Sequence, residues 1–287
     1  MSRAASPSSL SLLAVLPTRD PEEPENFPVE TYERLHDALV QVARVAVLAM
    51  TRHQLDTRDQ IIRNLMARTA LCLRGIFALW RVPDPQDCWA LFRCLLDRLF
   101  HIHYLASSNS FEEFDKWSFL QQYNLRNAMR SDPDFKETLD PEFFKDSEQA
   151  KQRARDLTPE NPQWTRPFAE EIAKQMDLRF LYKYGYDYGS MFIHPMANDG
   201  QLDFVNLTGV GKLEQFGDQR VVLHNSCLAA SLILTEGMNA SGFEWLALMF
   251  NCLTDIATCV SNGSDDYMIR FREIISAGPD FELCRRR

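Results

Sequence analysis

Apolar residues recur at helical spacing along most of this chain. The stretches Pro28–His53 and Arg58–Arg81 carry apolar side chains every three to four positions, which predicts two amphipathic helices packed as an antiparallel pair. A third predicted helix carries Leu91–Tyr104. Because no strand-rich block of alternating residues occurs, the pattern predicts an all-α protein, a single bundle of about nine helices.

Capping and helix-breaking residues give the predicted boundaries of these helices. Asp84 and Pro85 begin the third helix, and Ser110 with Glu113 forms a capping box for the fourth. Residues 196–218 contain four glycines and form the longest predicted irregular stretch, with room for a short hairpin. The other predicted helices span 142–156 (capped by Asp140-Pro141), 168–176, 181–194, 219–237, 241–260 and 264–276.

The composition of the two ends differs from that of the middle. Residues 1–27 hold serine, proline and acidic clusters, which predicts a disordered tail, followed by one helical domain over 28–278 and a flexible end over 279–287. The apolar run Leu10–Leu16 is followed by Pro17 and PEEPENFP rather than by a small-residue cleavage site. We therefore expect no export signal there.

Charge and cysteine content narrow the function classes. The formal net charge of −9 disfavours a broad surface for duplex DNA, although it allows a local basic pocket. Seven cysteines form no C-x-x-C pair, which is typical of reduced thiols in the cytosol. No stretch reaches the roughly 20 apolar residues of a membrane span, so we expect no membrane partner.

The third helix mixes ionisable residues into an apolar sequence, LFRCLLDRLFHIHY. At about 100° per residue, Arg93, Asp97, His101 and Tyr104 follow one another on one narrow face. Asp97 is one turn from both Arg93 and His101 and could orient the histidine as a general acid or base. The alternative is a buried ion pair that only holds adjacent helices together.

A second candidate segment is LYKYGYDYGSMFIH, residues 181–194. Four of its residues recur at every fourth position and so share a helical face: Tyr182, Tyr186, Ser190 and His194. The Ser190 hydroxyl beside the His194 imidazole resembles half of a nucleophilic dyad. The nucleophile-elbow pattern G-x-S-x-G is absent, so the alternative is a hydrogen-bonded histidine that closes a helix.

The sequence was also compared with ribonuclease, metal-binding and nucleotide-binding motifs. Arg98 and His103 match the R-x-x-x-x-H spacing of HEPN-type ribonucleases, although in an ideal helix they lie about 140° apart. A metal site could be assembled from acidic and histidine side chains, but no H-E-x-x-H or C-x-x-C signature supports it. Walker and Rossmann loops are missing, so neither a metal nor a cofactor is predicted. The metal ligands considered are Asp97, His101, His194 and His224.

Three stretches together resemble a family of bacterial all-helical proteins classed only as a domain of unknown function. They are ARTALCLRGIFALW, FRCLLDRLFHIHYL and FAEEIAKQMDLRFLYKYGYDYGSMFIHP, within roughly residues 40–225. The features of that family map here to Arg93 with Asp97, where glutamate is more usual, and to Tyr186, Ser190 and His194. A distant resemblance to HEPN-like domains implies a ribonuclease of a toxin or phage-defence system.

These observations lead to two hypotheses from different classes. The first is a cytosolic bacterial protein that cleaves RNA without a metal, with a histidine as acid or base and an arginine that stabilises the phosphorane. The second is a non-catalytic helical scaffold, for example a homodimer or a partner-binding module. The residues expected to gather in one cleft under the first hypothesis are Arg93, Asp97, Arg98, His101, His103, Ser190 and His194.

Overall fold

The computed structural model describes residues 28–82, 85–134, 145–194, 200–210, 220–264, 266–277 and 282–287. Those residues form eleven helices and two short strands, so the predicted all-α class is confirmed. The helices are α1 (Val29–Thr51), α2 (Thr57–Arg81), α3 (Pro85–Ser108), α4 (Phe111–Ser131), α5 (Glu148–Glu160), α6 (Ala169–Gln175), α7 (Arg179–Leu181, continued by a π-helical turn at Tyr182–Asp187 and an α-helical turn at Tyr188–Ser190), α8 (Gln201–Thr208), α9 (Val221–Ala240), α10 (Ala247–Asn262) and α11 (Met268–Ser276). The strands are β1 (Phe243–Trp245) and β2 (Cys284–Arg286).

The larger of two compact units comprises residues up to 104 and from 168 onward. In it α1 packs on α2, and Arg81 near the end of α2 pairs with Glu33 near the start of α1 at 3.1 Å, which confirms the antiparallel arrangement. Helix α9 packs against α1, α2 and α10. Its residues from Ser231 to Met238 are all buried, as expected for a helix that is apolar on every side.

Of the described helices, only α9 is long and apolar enough to cross a membrane. The structure buries 83% of its most apolar window inside the protein. That burial is typical of the central helix of a packed core, and it accounts for the hydropathy of α9 without a bilayer.

A second compact unit spans residues 105–167 and contains α4 and α5. Arg153 of α5 pairs with Asp115 of α4 and lies 4.3 Å from the Phe119 ring. The predicted capping box at Ser110 is wrong, because the Ser110 hydroxyl makes no cap bond and instead accepts from the Trp164 indole at 3.3 Å.

The start of α5 differs from its prediction. The helix begins at Glu148, with the Ser147 hydroxyl accepting from the Ala150 N–H at 3.1 Å. Residues 145–147, predicted as helical, therefore precede the helix. The predicted tail over 1–27 and the predicted caps at Asp84 and Asp140 lie outside the described residues.

The glycine-rich stretch contains a helix rather than only irregular chain. Helix α8 is bounded by Gly200 and Gly209, whose φ angles are 73° and 66°. Only glycine adopts this left-handed conformation at little cost, and it is common just past a helix end. The glycines here delimit a short helix, which is why composition alone suggested no regular structure.

Residues 241–246 also depart from prediction, since α10 begins at Ala247 rather than at 241. The Ser241 hydroxyl donates to the Met238 carbonyl at 2.8 Å and accepts from the Trp245 indole at 2.9 Å. The Gly242 N–H donates to the carboxylate of Asp59 at 2.7 Å. Because side chains satisfy these polar groups, the chain leaves the helix and forms β1.

Within the segment 279–287, which the sequence predicts to be flexible, the structure describes residues 282–287, and these include strand β2. Strand β2 pairs antiparallel with β1, with Phe243 opposite Arg286 and Trp245 opposite Cys284. Arg286 forms an ion pair with Asp59, whose side chain is fully buried. This long-range pair holds 282–287 against the start of α2.

All seven cysteines are free, and six of them are buried. Burial raises the pKa of the Cys252 thiol to about 12 and that of Cys284 to about 11. Thiols held protonated in this way react slowly.

His224 in α9 gives the protein a pH-dependent stability. Its ring meets Tyr32 edge-on at 6.0 Å, and burial lowers its pKa to about 4 from 6.5. Between pH 6.5 and about 4, the His224 imidazole is protonated in the unfolded chain but stays neutral in the folded protein. The stabilisation present above pH 6.5 is therefore lost as the pH falls to about 4. Allowing for partial solvent access, we expect a loss of about 2 kcal/mol.

Urea unfolding at a series of pH values measures this loss, and His224→Gln is expected to flatten the curve between pH 6.5 and 4. The residual slope has other sources, including His36, whose pKa burial also lowers. An unchanged slope in the variant would mean that the His224 ring is not the group that titrates.

Candidate functional site

Two glycines four residues apart let α7 approach α3 closely. A Cβ atom on Gly189 would lie 2.7 Å from the Trp89 carbonyl oxygen and 2.9 Å from the Arg93 Cβ. A Cβ atom on Gly185 would lie 2.7 Å from Leu96 Cδ1. Since such distances are too short for real atoms, only glycine permits this contact.

The contact coincides with a π-helical turn, Tyr182–Asp187. Single π-turns inside helices are rare and are frequent at functional sites. The turn stacks the Tyr182 and Tyr186 rings with their centroids 5.6 Å apart and an angle of 18° between the planes. Tyr186 also lies 6.0 Å from the Phe100 ring, so the turn directs an aromatic side chain onto α3.

A hydrogen-bond network joins the two helices at this point. Arg93 Nε donates to Ser190 Oγ at 2.8 Å, and Arg93 Nη2 donates to the Tyr186 hydroxyl at 3.0 Å. Ser190 Oγ donates to the Tyr186 carbonyl at 2.7 Å, and the Tyr186 hydroxyl donates to Asp97 Oδ1 at 3.4 Å. We call Arg93, Asp97, Tyr186 and Ser190 the Arg93 cluster.

The guanidinium of Arg93 is the unusual member of the Arg93 cluster. It is half-buried, and among the described residues its N–H groups donate to two hydroxyl oxygens rather than to a carboxylate. Arginine carries five N–H groups. Within the described residues, its two hydrogen bonds use one N–H on Nε and one on Nη2, and neither N–H on Nη1 takes part in them.

Tyr182, next to the Arg93 cluster, stays a neutral phenol at ordinary pH. Burial, and then a hydrogen bond with Asp187, raises the pKa of Tyr182 to about 12. A phenol with so high a pKa cannot act as a general base near neutral pH. Its role at the site is to stack against Tyr186.

The structure does not bring the R-x-x-x-x-H residues together. Arg98 donates to the Cys94 carbonyl in its own helix, whereas His103 Nδ1 lies 3.4 Å from Glu236 Oε1 of α9. His103 follows Arg93 by ten residues, which is about 15 Å along the axis of α3. His101 is half-buried about 12 Å along the same axis. The single cleft expected from sequence is therefore not formed by these residues.

The expected contact between Ser190 and His194 is likewise not formed. The Ser190 hydroxyl is engaged by Arg93 and by the Tyr186 carbonyl instead. The described residues give His194 no hydrogen bond, and its side chain is exposed just after α7 ends. His194 lies beyond the end of α7, and the Ser190 hydroxyl accepts from Arg93 of α3 instead.

In the part of the chain that the structure describes, no three metal-ligating side chains cluster. The four residues considered for a metal are therefore not assembled into a site. His224 lies in α9 against Tyr32, while Asp97 belongs to the Arg93 cluster.

Two glycines of α7 and one acid of α9 make close contacts that were not predicted from the sequence. Gly185 and Gly189 form a visible G-x-x-x-G spacing that marks close helix approach. Glu236 was also visible, as a lone acid in the apolar run LILTEGM. Its side chain is 9% exposed and pairs with His103.

Comparison with known proteins adds a family but no activity. No curated protein and no solved structure matches the chain. The model of a family of unknown function, DUF5677, matches residues 59–208. This range contains both sides of the Arg93 cluster. With more than half of its length matched, the chain belongs to the family of unknown function DUF5677.

Proposed function

We propose that the Arg93 cluster binds a phosphate group, and that the ligand is the phosphodiester of an RNA strand. The observation that carries the proposal is a half-buried guanidinium that, within the described residues, is held by two hydroxyl oxygens rather than by a carboxylate. A planar arginine fork matches the oxygens of a phosphate and keeps its charge at every working pH.

Asp97 tunes this site rather than neutralising it. Within the described residues, its carboxylate is linked to Arg93 through the Tyr186 hydroxyl, which accepts from Arg93 and donates to Asp97. The hydroxyl is thereby fixed, and Arg93 is presented in one orientation. The negative charge of Asp97 opposes an incoming anion, so Asp97→Asn would strengthen phosphate binding.

RNA cleavage without a metal is the reaction that such binding would serve. The ribose 2′-hydroxyl would lose its proton to His194 and attack the adjacent phosphorus, while the 5′-oxygen leaves and takes a proton from water. Arg93 would stabilise the charge of the phosphorane. In this proposal Ser190 positions Arg93 and is not a nucleophile, because its own proton is held by the Tyr186 carbonyl.

The proposed setting is the cytosol, on the strength of the free, largely buried thiols. A bacterial source, a HEPN-like relationship and a role in phage defence come from the resemblance alone. A non-catalytic helical scaffold is the alternative, favoured by the way in which the hydrogen bonds of Arg93 fasten α7 to α3.

Fluorescence anisotropy with a labelled single-stranded RNA, in the presence of EDTA, tests the proposal. We expect Arg93→Met to weaken binding about tenfold or more, the value of lost charge-assisted hydrogen bonds. The matched control is Arg44→Met, which removes an exposed arginine of α1 and should change affinity about twofold at most. Gel analysis of the same mixtures reports cleavage, which His194→Ala should abolish.

Two outcomes would reject the proposal. One is a wild-type protein that binds no RNA at low salt. The other is an equal effect of Arg93→Met and Arg44→Met, since binding would then depend on overall charge. If Arg93→Met instead lowers only the melting temperature, the scaffold alternative is favoured.

A further inference from the structure

The outer side of α7 exposes two aromatic rings side by side. Phe180 is 65% exposed and Tyr184 is 59% exposed, and their ring centroids are 4.9 Å apart with 39° between the planes. Exposed apolar groups that adjoin one another mark interaction sites more often than single exposed side chains do.

Two cations accompany these rings. Arg179 and Lys183 each directly precede one of them, and both side chains are exposed. Within the described ranges neither forms an ion pair. Of the acids on the neighbouring helix α6, Glu170 pairs with Lys174 at 3.1 Å. We call Arg179, Phe180, Lys183 and Tyr184 the α7 strip.

From this arrangement we propose that the α7 strip binds single-stranded RNA, with bases stacked on Phe180 and Tyr184 and phosphates beside Arg179 and Lys183. This inference rests on the proposed function, which supplies RNA as the ligand. It adds that the RNA is single-stranded and identifies the side chains that contact it. Exposed rings alternating with cations are how single-stranded nucleic acids are held without sequence preference.

A protein partner fits the α7 strip less well. Lysine is depleted at protein interfaces, whereas here Lys183 directly precedes the exposed Tyr184 and forms no ion pair within the described residues. Duplex RNA fits less well too, because its bases are already stacked on one another and cannot reach the rings. The α7 strip also lies on the same helix as Tyr186 of the Arg93 cluster, whose ring stacks on Tyr182.

The test uses the full chain and a labelled twelve-nucleotide oligouridine, with a duplex of the same length as comparison. We expect Phe180→Ala/Tyr184→Ala to weaken single-strand binding about tenfold or more. The salt dependence should stay the same, because no charge is removed. Arg179→Met/Lys183→Met should reduce the slope of log K against log salt by about 0.7 per cation. Phe168→Ala removes another exposed ring, 82% exposed, and is expected to have no effect.

The outcomes separate this inference from the phosphate site. If Arg93→Met weakens binding and Phe180→Ala/Tyr184→Ala does not, the α7 strip is rejected and the phosphate site stands. If only the aromatic variant weakens binding, the α7 strip stands and the phosphate site falls. The inference would be overturned if Phe168→Ala weakened RNA binding as much as Phe180→Ala/Tyr184→Ala does. It would also be overturned if Phe180→Ala/Tyr184→Ala changed the sedimentation coefficient and left RNA binding unchanged. The latter result would indicate a protein interface.

Discussion

Arg286→Met is expected to lower the free energy of unfolding by about 3 kcal/mol, although the side chain it removes is 40% exposed. The cost arises at Asp59, which is fully buried and forms an ion pair with Arg286. Without Arg286, the carboxylate keeps the Gly242 N–H at 2.7 Å and the more distant Arg58 Nε at 4.0 Å. An incompletely compensated charge in the interior is strongly destabilising. Urea unfolding monitored by circular dichroism measures the loss.

Arg285→Met is the matched control. Arg285 is the neighbouring residue, and within the described residues its side chain, 72% exposed, pairs with the exposed Glu282, so its removal should cost about 0.5 kcal/mol or less. Adding Asp59→Asn to Arg286→Met removes the buried charge and should recover part of the stability. If the two single variants were equally stable, the terminal ion pair would contribute no more than an ordinary surface pair.

Local periodicity explains which parts of the fold could be predicted from the sequence. The long helices α1, α2, α3 and α9 follow directly from apolar residues at helical spacing, because each helix buries one face or all of it. The strands β1 and β2 could not be predicted in this way. They depend on Asp59, which lies 183 residues before Gly242 in the chain. No local pattern encodes a partner at that distance.

The same distinction applies to the candidate site. Helical spacing correctly put Arg93 with Asp97 on α3, and Tyr186 with Ser190 on α7. Which of several polar residues would meet across the helices depended on the π-helical turn and on the close approach at Gly189. The geometry of the helix alone, in contrast, was enough to show that Arg98 and His103 diverge by about 140°.

Gly189→Ala is expected to destabilise the protein by about 3 kcal/mol, even though alanine favours helices more than glycine does. The added methyl group would lie 2.7 Å from the Trp89 carbonyl oxygen and 2.9 Å from the Arg93 Cβ. Both atoms are fixed by the backbone of α3, so no change of rotamer relieves the overlap and α7 must move away. Thermal and urea unfolding measure the cost.

Gly237→Ala separates this effect from a general loss at buried helical glycines. A Cβ atom there would lie 3.1 Å from Met66 Cγ and Sδ, which belong to a flexible side chain that can shift. We expect a change within about 1 kcal/mol, since the gain in helix propensity offsets the repacking.

Displacing α7 by the Gly189→Ala substitution also pulls Ser190 Oγ away from Arg93 Nε, to which it is hydrogen-bonded at 2.8 Å. Gly189→Ala should therefore weaken RNA binding as Arg93→Met does, whereas Gly237→Ala should leave it unchanged. If Gly189→Ala were as stable as the wild type, the helices could separate freely, and the Arg93 cluster could not be the rigid anion site that the proposed function requires.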